Sequence, residues 1–221
     1  MATVLAALDN SLAVNPVLVT ARALARVLGD RVQAIHVLGE RTEAAEDASR
    51  AAGVPLRLGS GPVIERLIDA GNADDVSVIV IGARGATHSE HPLGSTALAV
   101  VTSMTKPVVV VPPAARVAPI FRRVLVPLVA TRADALAPLW KPELAENVIV
   151  EVIARNLDER GEEQVVSTAR DYGVDMIVLG WSPTVSPMRT PLVIEALRHG
   201  NVPVMLIPAT VRGKTKELVT T

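Results

Sequence analysis

Residues 76–96 of this chain are VSVIVIGARGATHSEHPLGST. The stretch opens with a run of Val and Ile broken by Ser77, which is typical of a buried strand. It crosses two glycines and a polar segment before an apolar pattern of helical spacing begins at Gly94-Ser95-Thr96. A strand, a loop and a helix in this order form the repeating unit of a parallel α/β sheet. The glycines fit either a phosphate-binding loop or a plain turn, and their spacing alone does not separate the two.

The rest of the first half repeats this unit. The sequence predicts strands at 3–8, 32–38, 56–58, 76–81 and 108–111. It predicts helices at 42–52 and 95–104, a helix that starts at Pro62, and a first helix with Asn15 as N-cap and Pro16 as its first residue. Continuous apolar strands that alternate with helices predict a doubly wound parallel sheet with both faces covered. Its ligand crevice would lie at the carboxyl ends of the strands, where the winding direction reverses.

A second, shorter copy follows a proline-rich segment. The strand patterns at 123–128, 175–180 and 203–208 echo those at 3–8, 76–82 and 107–112. We therefore predict an α/β fold of two doubly wound parallel-sheet domains, at 1–113 and 123–209, joined by a linker at 114–122 and followed by a frayed tail at 210–221. Because only residues 131–147 precede its second strand, expected at 148–153, the second copy lacks about a strand and a helix. Its next helix is expected at 162–172.

Composition limits the classes of function. The net charge is −1 and aromatic residues make up 2% of the chain, whereas nucleic-acid binding usually needs a basic surface and often stacking rings. No apolar run reaches the roughly 18 to 20 residues that cross a bilayer. The start of the chain lacks the basic region of a signal peptide, and cysteine is absent. We expect a cytoplasmic protein with an aliphatic core, no disulfides, and neither a nucleic-acid nor a membrane partner.

Four motifs give the first half a resemblance to the universal stress protein family. The first strand ends in Leu8-Asp9, the second in His36-Val37, the fourth enters a glycine loop at Gly82, and the fifth follows Lys106-Pro107. The second half resembles the family in outline, most clearly at 175–180, so the chain looks like a tandem form. The resemblance implies an adenine nucleotide alpha hydrolase-like fold, with strand order 3-2-1-4-5 in the first domain.

In such proteins the crevice between the first and fourth strands binds an adenine nucleotide. The resemblance would place Asp9, preceded by Ala7 and Leu8, beside the adenine or ribose, and the Val37 backbone against the adenine ring. The residues that would surround the ribose and phosphates are Gly82, Arg84, Gly85, Gly94, Ser95 and Thr96.

The residue types suit this assignment. Glycines let the backbone approach phosphate oxygens, and the free N–H groups at the start of a helix attract anions, so Ser95 would be N-cap and phosphate ligand at once. The implied cofactor is ATP or another adenine nucleotide. Any Mg²⁺ or Mn²⁺ would be coordinated by the phosphates of the nucleotide, because no metal site made of protein ligands is expected.

Two departures from the family's nucleotide-binding pattern matter. Eight residues separate Gly85 from Gly94 where that pattern has nine, and they include Glu90, which would repel phosphate if it pointed inward. The second copy has lost the aspartate of its first strand, and Gly180 is followed by Trp181-Ser182-Pro183 without a second glycine. We expect one nucleotide site, in the first half.

Several of these residues also have plain structural interpretations. Asp9 fits a turn or cap residue that serves Asn10-Ser11. His36 fits a satisfied histidine at the rim of the core better than a catalyst. Arg84 suits a phosphate contact and a solvent-facing position about equally. His88 and His91 lack a third fixed ligand, so they are more typical of a solvated loop than of a metal site.

Three functions follow from the sequence. The first is an adenine-nucleotide-binding stress-response or regulatory protein; without a Walker A lysine or a nucleophile–base pair we expect no efficient catalysis, although slow ATP hydrolysis is compatible with such a site. The second is a nucleotide-free interaction module, in which strands 108–111 and 203–207 meet each other as a pseudo-dimer or meet another chain as a homodimer. The third is an enzyme on the same scaffold, for which the sequence offers no G-x-S-x-G or H-E-x-x-H signature.

Overall fold

A computed structural model describes residues 1–9, 11, 13–37, 42–84, 92–129, 151–157, 161–181 and 189–208. The strands are β1 Thr3–Leu8, β2 Arg31–Val37, β3 Leu56–Gly59, β4 Val76–Gly82, β5 Val108–Val111, β6 Arg123–Val129, β7 Glu151–Leu157, β8 Met176–Trp181 and β9 Val204–Pro208. The helices are α1 Val14–Leu28, α2 Glu43–Ala52, α3 Val63–Asn72, α4 Ser95–Ser103, α5 Gly161–Asp171 and α6 Arg189–His199. The predicted alternation of strands and helices in the first half is confirmed.

The described strands form one nine-stranded sheet in the order β3-β2-β1-β4-β5-β9-β8-β6-β7. The first half has the predicted order 3-2-1-4-5, and all its pairings are parallel. In the second half β7, β6, β8 and β9 repeat the order of β2, β1, β4 and β5, again in parallel. Within the described residues β3 has no counterpart there, so the second copy is the shorter one. The α/β, adenine nucleotide alpha hydrolase-like fold is confirmed, and the domain boundaries stay a prediction.

The two halves meet at β5 and β9, which pair antiparallel. Val108 lies opposite Leu206, Val109 opposite Met205 and Val110 opposite Val204. These are the strands that the sequence named as the edges of a pseudo-dimer. Because the direction reverses at this pairing, the strands of the two halves have their carboxyl ends at opposite edges of the sheet.

Side chains from both faces of the sheet are buried. Leu5, Ile79 and Val110 belong to a cluster that also contains apolar residues of α3, α4, α5 and α6. Their neighbours in sequence, such as Val4 and Val80, belong to a second cluster with residues of α1. Each cluster draws on both halves, so the aliphatic core continues across the β5–β9 pairing. Within the described residues, no helix is both long and apolar enough to cross a membrane.

The predicted start of α1 and the predicted N-cap of α4 are wrong. α1 begins at Val14 with Ala13, not Asn15, as its N-cap. The Ser11 side chain accepts the Ala13 N–H and its carbonyl accepts the Val14 N–H, which fixes the start two residues earlier. Pro16 then falls within the first turn, where its missing N–H removes no helical hydrogen bond. In α4 the N-cap is Gly94 rather than Ser95.

One strand of the second half was also misplaced. β7 extends to Leu157, whereas the sequence predicted a strand at 148–153. The polar pair Arg155-Asn156 ends the apolar run, yet both residues stay in the parallel ladder with β6. Among the described strands β7 lies at the edge of the sheet, where polar residues are well tolerated. The predictions for 131–147 and 210–221 concern residues outside the described ranges.

The segment between β5 and β6, predicted as a linker, is packed onto both halves. Arg26 of α1 donates a hydrogen bond from Nη1 to the Pro119 carbonyl at 3.0 Å. The Arg116 N–H donates to the carbonyl of Asn201, just before β9, at 2.6 Å. Phe121 is 1% exposed and belongs to the same apolar cluster as α1. The segment therefore contributes to the core.

Candidate functional site

A cavity of about 280 Å³ opens at the carboxyl ends of β1 and β4. β1 has β2 on one side and β4 on the other, so the chain winds away from it in both directions. This reversal point is where doubly wound sheets bind their ligands. Most of the residues that the resemblance assigned to the nucleotide line this cavity: Ala7, Leu8, Asp9, Val37, Gly82, Gly94, Ser95 and Thr96.

One predicted residue is described but does not line the cavity, and another lies outside the described residues. Arg84 follows the strand end but is not among the lining residues. It is half-buried, and its Nε atom is buried without a hydrogen-bond partner in the described part of the chain. Gly85 lies outside the described residues, as do Glu90 and the histidines His88 and His91. Within the described ranges, no group of three His, Cys, Asp or Glu residues could hold a metal ion.

The start of α4 is fixed beside the end of β4. The Gly94 N–H donates to the Ala83 carbonyl at 2.8 Å, and the Ala83 N–H donates to the Val111 carbonyl at 2.8 Å. The next three N–H groups, of Ser95, Thr96 and Ala97, belong to the first turn and have no acceptor one turn earlier in the helix. All three residues line the cavity. The positive end of the helix dipole therefore faces this space.

Asp9 takes part in a turn and also lines the cavity. Its Oδ1 atom accepts hydrogen bonds from the Ser11 N–H at 2.9 Å and from the Ser11 hydroxyl at 2.6 Å. The Ser11 Oγ in turn accepts the Ala13 N–H at 3.1 Å. Asp9 is exposed, so solvent reaches its carboxylate. The turn role does not exclude a ligand role.

His36 is a buried histidine at the rim of the cavity. Its side chain is 4% exposed, and Nδ1 lies 2.9 Å from the Leu8 carbonyl oxygen. Because a carbonyl oxygen can only accept, Nδ1 carries a proton in this hydrogen bond. The bond joins the ends of β1 and β2 beside the cavity, which matches the structural interpretation of His36.

Gly82 has a structural reason to be glycine. A Cβ atom added at this position would lie 3.1 Å from the Cβ of Ala13, the residue that precedes α1. Such a contact is tighter than ordinary packing, so the absence of a side chain lets the start of α1 approach the end of β4. Gly94 differs, because its φ of −69° and ψ of 163° are open to any residue.

The apolar walls of the cavity were missed by the sequence reasoning. Val14 and Val17 of α1 form one part, and Val63 and Leu67 of α3 form another. Their spacings of three and four residues place each pair on one helix face. These residues could have been predicted from their positions in the sequence, because the first turns of helices that follow parallel strands border the carboxyl edge of the sheet.

One comparison with known proteins concerns part of the first half of the chain. Residues 39–112 match the model of the universal stress protein family. The matched range runs to the end of β5 and includes the whole glycine loop, while Asp9 and Val37 lie before it. Residues 39–112 therefore match the family to which the motifs pointed. No curated protein matches the chain significantly.

Solved structures resemble nearly the whole chain. A universal stress protein from Archaeoglobus fulgidus DSM 4304 is 18% identical, with 93% of this chain and 98% of that chain covered and a TM-score of 0.58. A putative universal stress protein from Pseudomonas aeruginosa UCBPP-PA14 is 10% identical, with coverages of 93% and 92% and a TM-score of 0.61. A functionally unknown protein from Pseudomonas aeruginosa PAO1 is also 10% identical, with coverages of 94% and 92% and a TM-score of 0.60. At these identities the likeness concerns the fold.

Proposed function

We propose that this chain is an adenine-nucleotide-binding universal stress protein with one ATP-type site, in its first half, and a regulatory or stress-response role in the cytoplasm. The observation that carries the proposal is the cavity at the ends of β1 and β4. The carboxylate of Asp9 and the first turn of α4 both border this cavity, and that turn lies in the range that matches the family model. An adenine nucleotide needs both an acceptor for its donors and an anion site for its phosphates.

The surroundings of the cavity suit the parts of such a ligand. Valine and leucine side chains of α1 and α3 offer apolar walls to a base, beside the Val37 backbone. Asp9 would accept hydrogen bonds from the adenine amine or the ribose hydroxyls. The N–H groups of Ser95 and Thr96 would bind phosphate oxygens, with Arg84 and the loop glycines near them. The volume of about 280 Å³ is close to the lower end of the range for small-molecule pockets, roughly 300 to 1,000 Å³.

The bound nucleotide would act as a signal rather than as a substrate of efficient chemistry. Asp9 already accepts two hydrogen bonds from Ser11, and Nδ1 of His36 is committed to the Leu8 carbonyl. Neither arrangement activates a nucleophile. Any Mg²⁺ or Mn²⁺ would be held by the phosphates. Slow ATP hydrolysis is compatible with this site.

The test is direct measurement of nucleotide binding by the full chain. Mass spectrometry should detect an adenine nucleotide that copurifies, and calorimetry with ATP, ADP, AMP and cyclic AMP should rank the ligands. Asp9→Ala and Gly94→Val should bind the nucleotide much more weakly than the wild type while they remain folded by circular dichroism. A wild-type chain with neither copurified nucleotide nor a thermal shift in millimolar ATP would disprove the proposal.

A nucleotide-free interaction module is the second candidate, and the β5–β9 pairing favours it. Val109 and Met205 face each other in an antiparallel ladder, so each half already serves as the partner of the other. Under this alternative the cavity has no ligand and the paired halves present a surface to other proteins. Light scattering of the purified chain would separate a monomer, expected for an internal pseudo-dimer, from a homodimer.

A further inference from the structure

We propose that Ser11 is a positioning residue that fixes the Asp9 carboxylate for the nucleotide; this inference rests on the proposed function. Ser11 reaches Asp9 Oδ1 twice, through its N–H at 2.9 Å and its hydroxyl at 2.6 Å. The same hydroxyl oxygen accepts the Ala13 N–H at 3.1 Å. The Ser11 side chain thus links the backbone before α1 to one oxygen of an exposed carboxylate.

Among the described residues, the hydrogen bonds to Asp9 use one carboxylate oxygen and leave the other for a ligand. Both hydrogen bonds from Ser11 go to Oδ1, and no hydrogen bond to Oδ2 occurs among the described residues. An exposed aspartate with few partners samples several rotamers, and a ligand that needs one of them must offset the lost freedom. Two donors on one oxygen remove much of that freedom before the ligand arrives. A chain of hydrogen bonds, from Ala13 through Ser11 to Asp9, also polarises its members cooperatively.

Only the hydroxyl of Ser11 is specific to serine in this arrangement. The N–H that donates to Asp9 and the carbonyl that accepts the Val14 N–H are backbone groups, which any residue at this position would keep. A substitution to alanine therefore removes the hydroxyl's donated and accepted bonds and leaves the backbone bonds in place. The consequence should be a less fixed carboxylate rather than an unfolded helix.

Calorimetric titration of the full chain with ATP tests the inference. Ser11→Ala should weaken ATP binding by about tenfold, the lower value of one hydrogen bond to a charged group. Ser11→Thr, which keeps a hydroxyl, should restore most of the affinity. In the Asp9→Ala background Ser11→Ala should have no further effect, because the group that it positions is gone.

A matched serine serves as control. Ser77 donates its hydroxyl to Asp30 Oδ2 at 2.7 Å, a similar pair near the start of β4 and away from the cavity. Ser77→Ala should leave ATP affinity unchanged.

If Ser11→Ala does not fold, Ser11→Cys keeps a side chain of similar shape and replaces the strong donor with a weak one. If Asp9→Ala abolishes binding, the ATP affinities of two single variants test the role of Ser11. Ser11→Thr, which keeps a hydroxyl, should bind ATP more tightly than Ser11→Cys, and equal affinities would contradict the role.

The outcomes separate the two proposals. Absence of ATP binding by the wild-type chain overturns both. Wild-type binding with Ser11→Ala equally tight overturns the role of Ser11 and leaves the nucleotide site standing. An equal loss from Ser11→Ala with and without Asp9 also overturns it, because Ser11 would then act through the start of α1 alone.

Discussion

Gly82 and Gly94 of the candidate site differ in what explains them. Gly82 sits where a Cβ would approach the Cβ of Ala13 to 3.1 Å, so packing alone explains it. Gly94 has an ordinary backbone conformation and caps α4 without any side-chain hydrogen bond. Serine is a better N-cap than glycine, so capping does not explain Gly94. Under the proposed function, the N–H groups of the first turn, which the N-cap leaves without a side-chain hydrogen bond, would bind phosphate.

Gly94→Ser should therefore separate stability from affinity. The new hydroxyl would accept the N–H of Thr96 or Ala97, as N-cap serines do, and the free energy of unfolding should stay the same or rise by a few tenths of a kcal/mol. The same bond takes away a phosphate ligand, so ATP affinity should fall at least tenfold. Urea denaturation and calorimetry measure the two quantities on the same sample.

Adenosine provides the control for this variant. Because adenosine has no phosphate, its affinity should change little in Gly94→Ser. An equal loss for adenosine and ATP would mean that the serine disturbs the whole cavity. Unchanged ATP affinity would show that the phosphates do not use the start of α4.

At the scale of elements, the segment between β5 and β6 differs most from its sequence-based description. Its prolines and lack of periodicity indicated a linker, and periodicity cannot reveal a single buried side chain in an irregular segment. Phe121 is 1% exposed, whereas its neighbour Ile120 is 47% exposed. The two positions form a matched pair within one segment.

Phe121→Ala should lower the free energy of unfolding by about 3–5 kcal/mol, because a buried phenylalanine leaves a cavity that the core fills poorly. Ile120→Ala should change it by less than about 0.5 kcal/mol, as expected for an exposed site. Urea denaturation of both variants measures the difference. Similar values for the two would mean that the segment behaves as a free linker.

Elements that depend on local apolar patterns were predicted well from the sequence, and those that depend on specific hydrogen bonds were not. β1 and β5 were predicted to the residue, since short apolar runs bounded by polar or proline residues leave little choice. The cap of α1 was missed because the Ser11 hydrogen bonds depend on a turn that spacing does not encode.

In the candidate site, the residues at strand ends could be predicted from the family motifs and from the strand order. The walls from α1 and α3 were not considered, and the partners of Asp9 and His36 require coordinates.

At the scale of the whole molecule, the described strands form a single sheet rather than two separate ones. β5 and β9 pair in its middle, and both apolar clusters contain residues from each half. The sequence identified these two strands as edges but left open whether they meet each other or another chain. Their pairing within the chain gives the halves a shared core, and shared cores favour cooperative unfolding.

This architecture predicts that the halves unfold together and that a ligand of the first half stabilises the second. Both tryptophans, Trp140 and Trp181, belong to the second half, so tryptophan fluorescence reports on that half while far-ultraviolet circular dichroism reports on both. The two probes should give coincident urea transitions. ATP at 100 times its dissociation constant should raise the free energy of unfolding seen by fluorescence by about 2.7 kcal/mol, although the proposed site lies in the other half. Two separate transitions, with ATP shifting only the one that fluorescence does not detect, would mean that the β5–β9 pairing does not couple the halves.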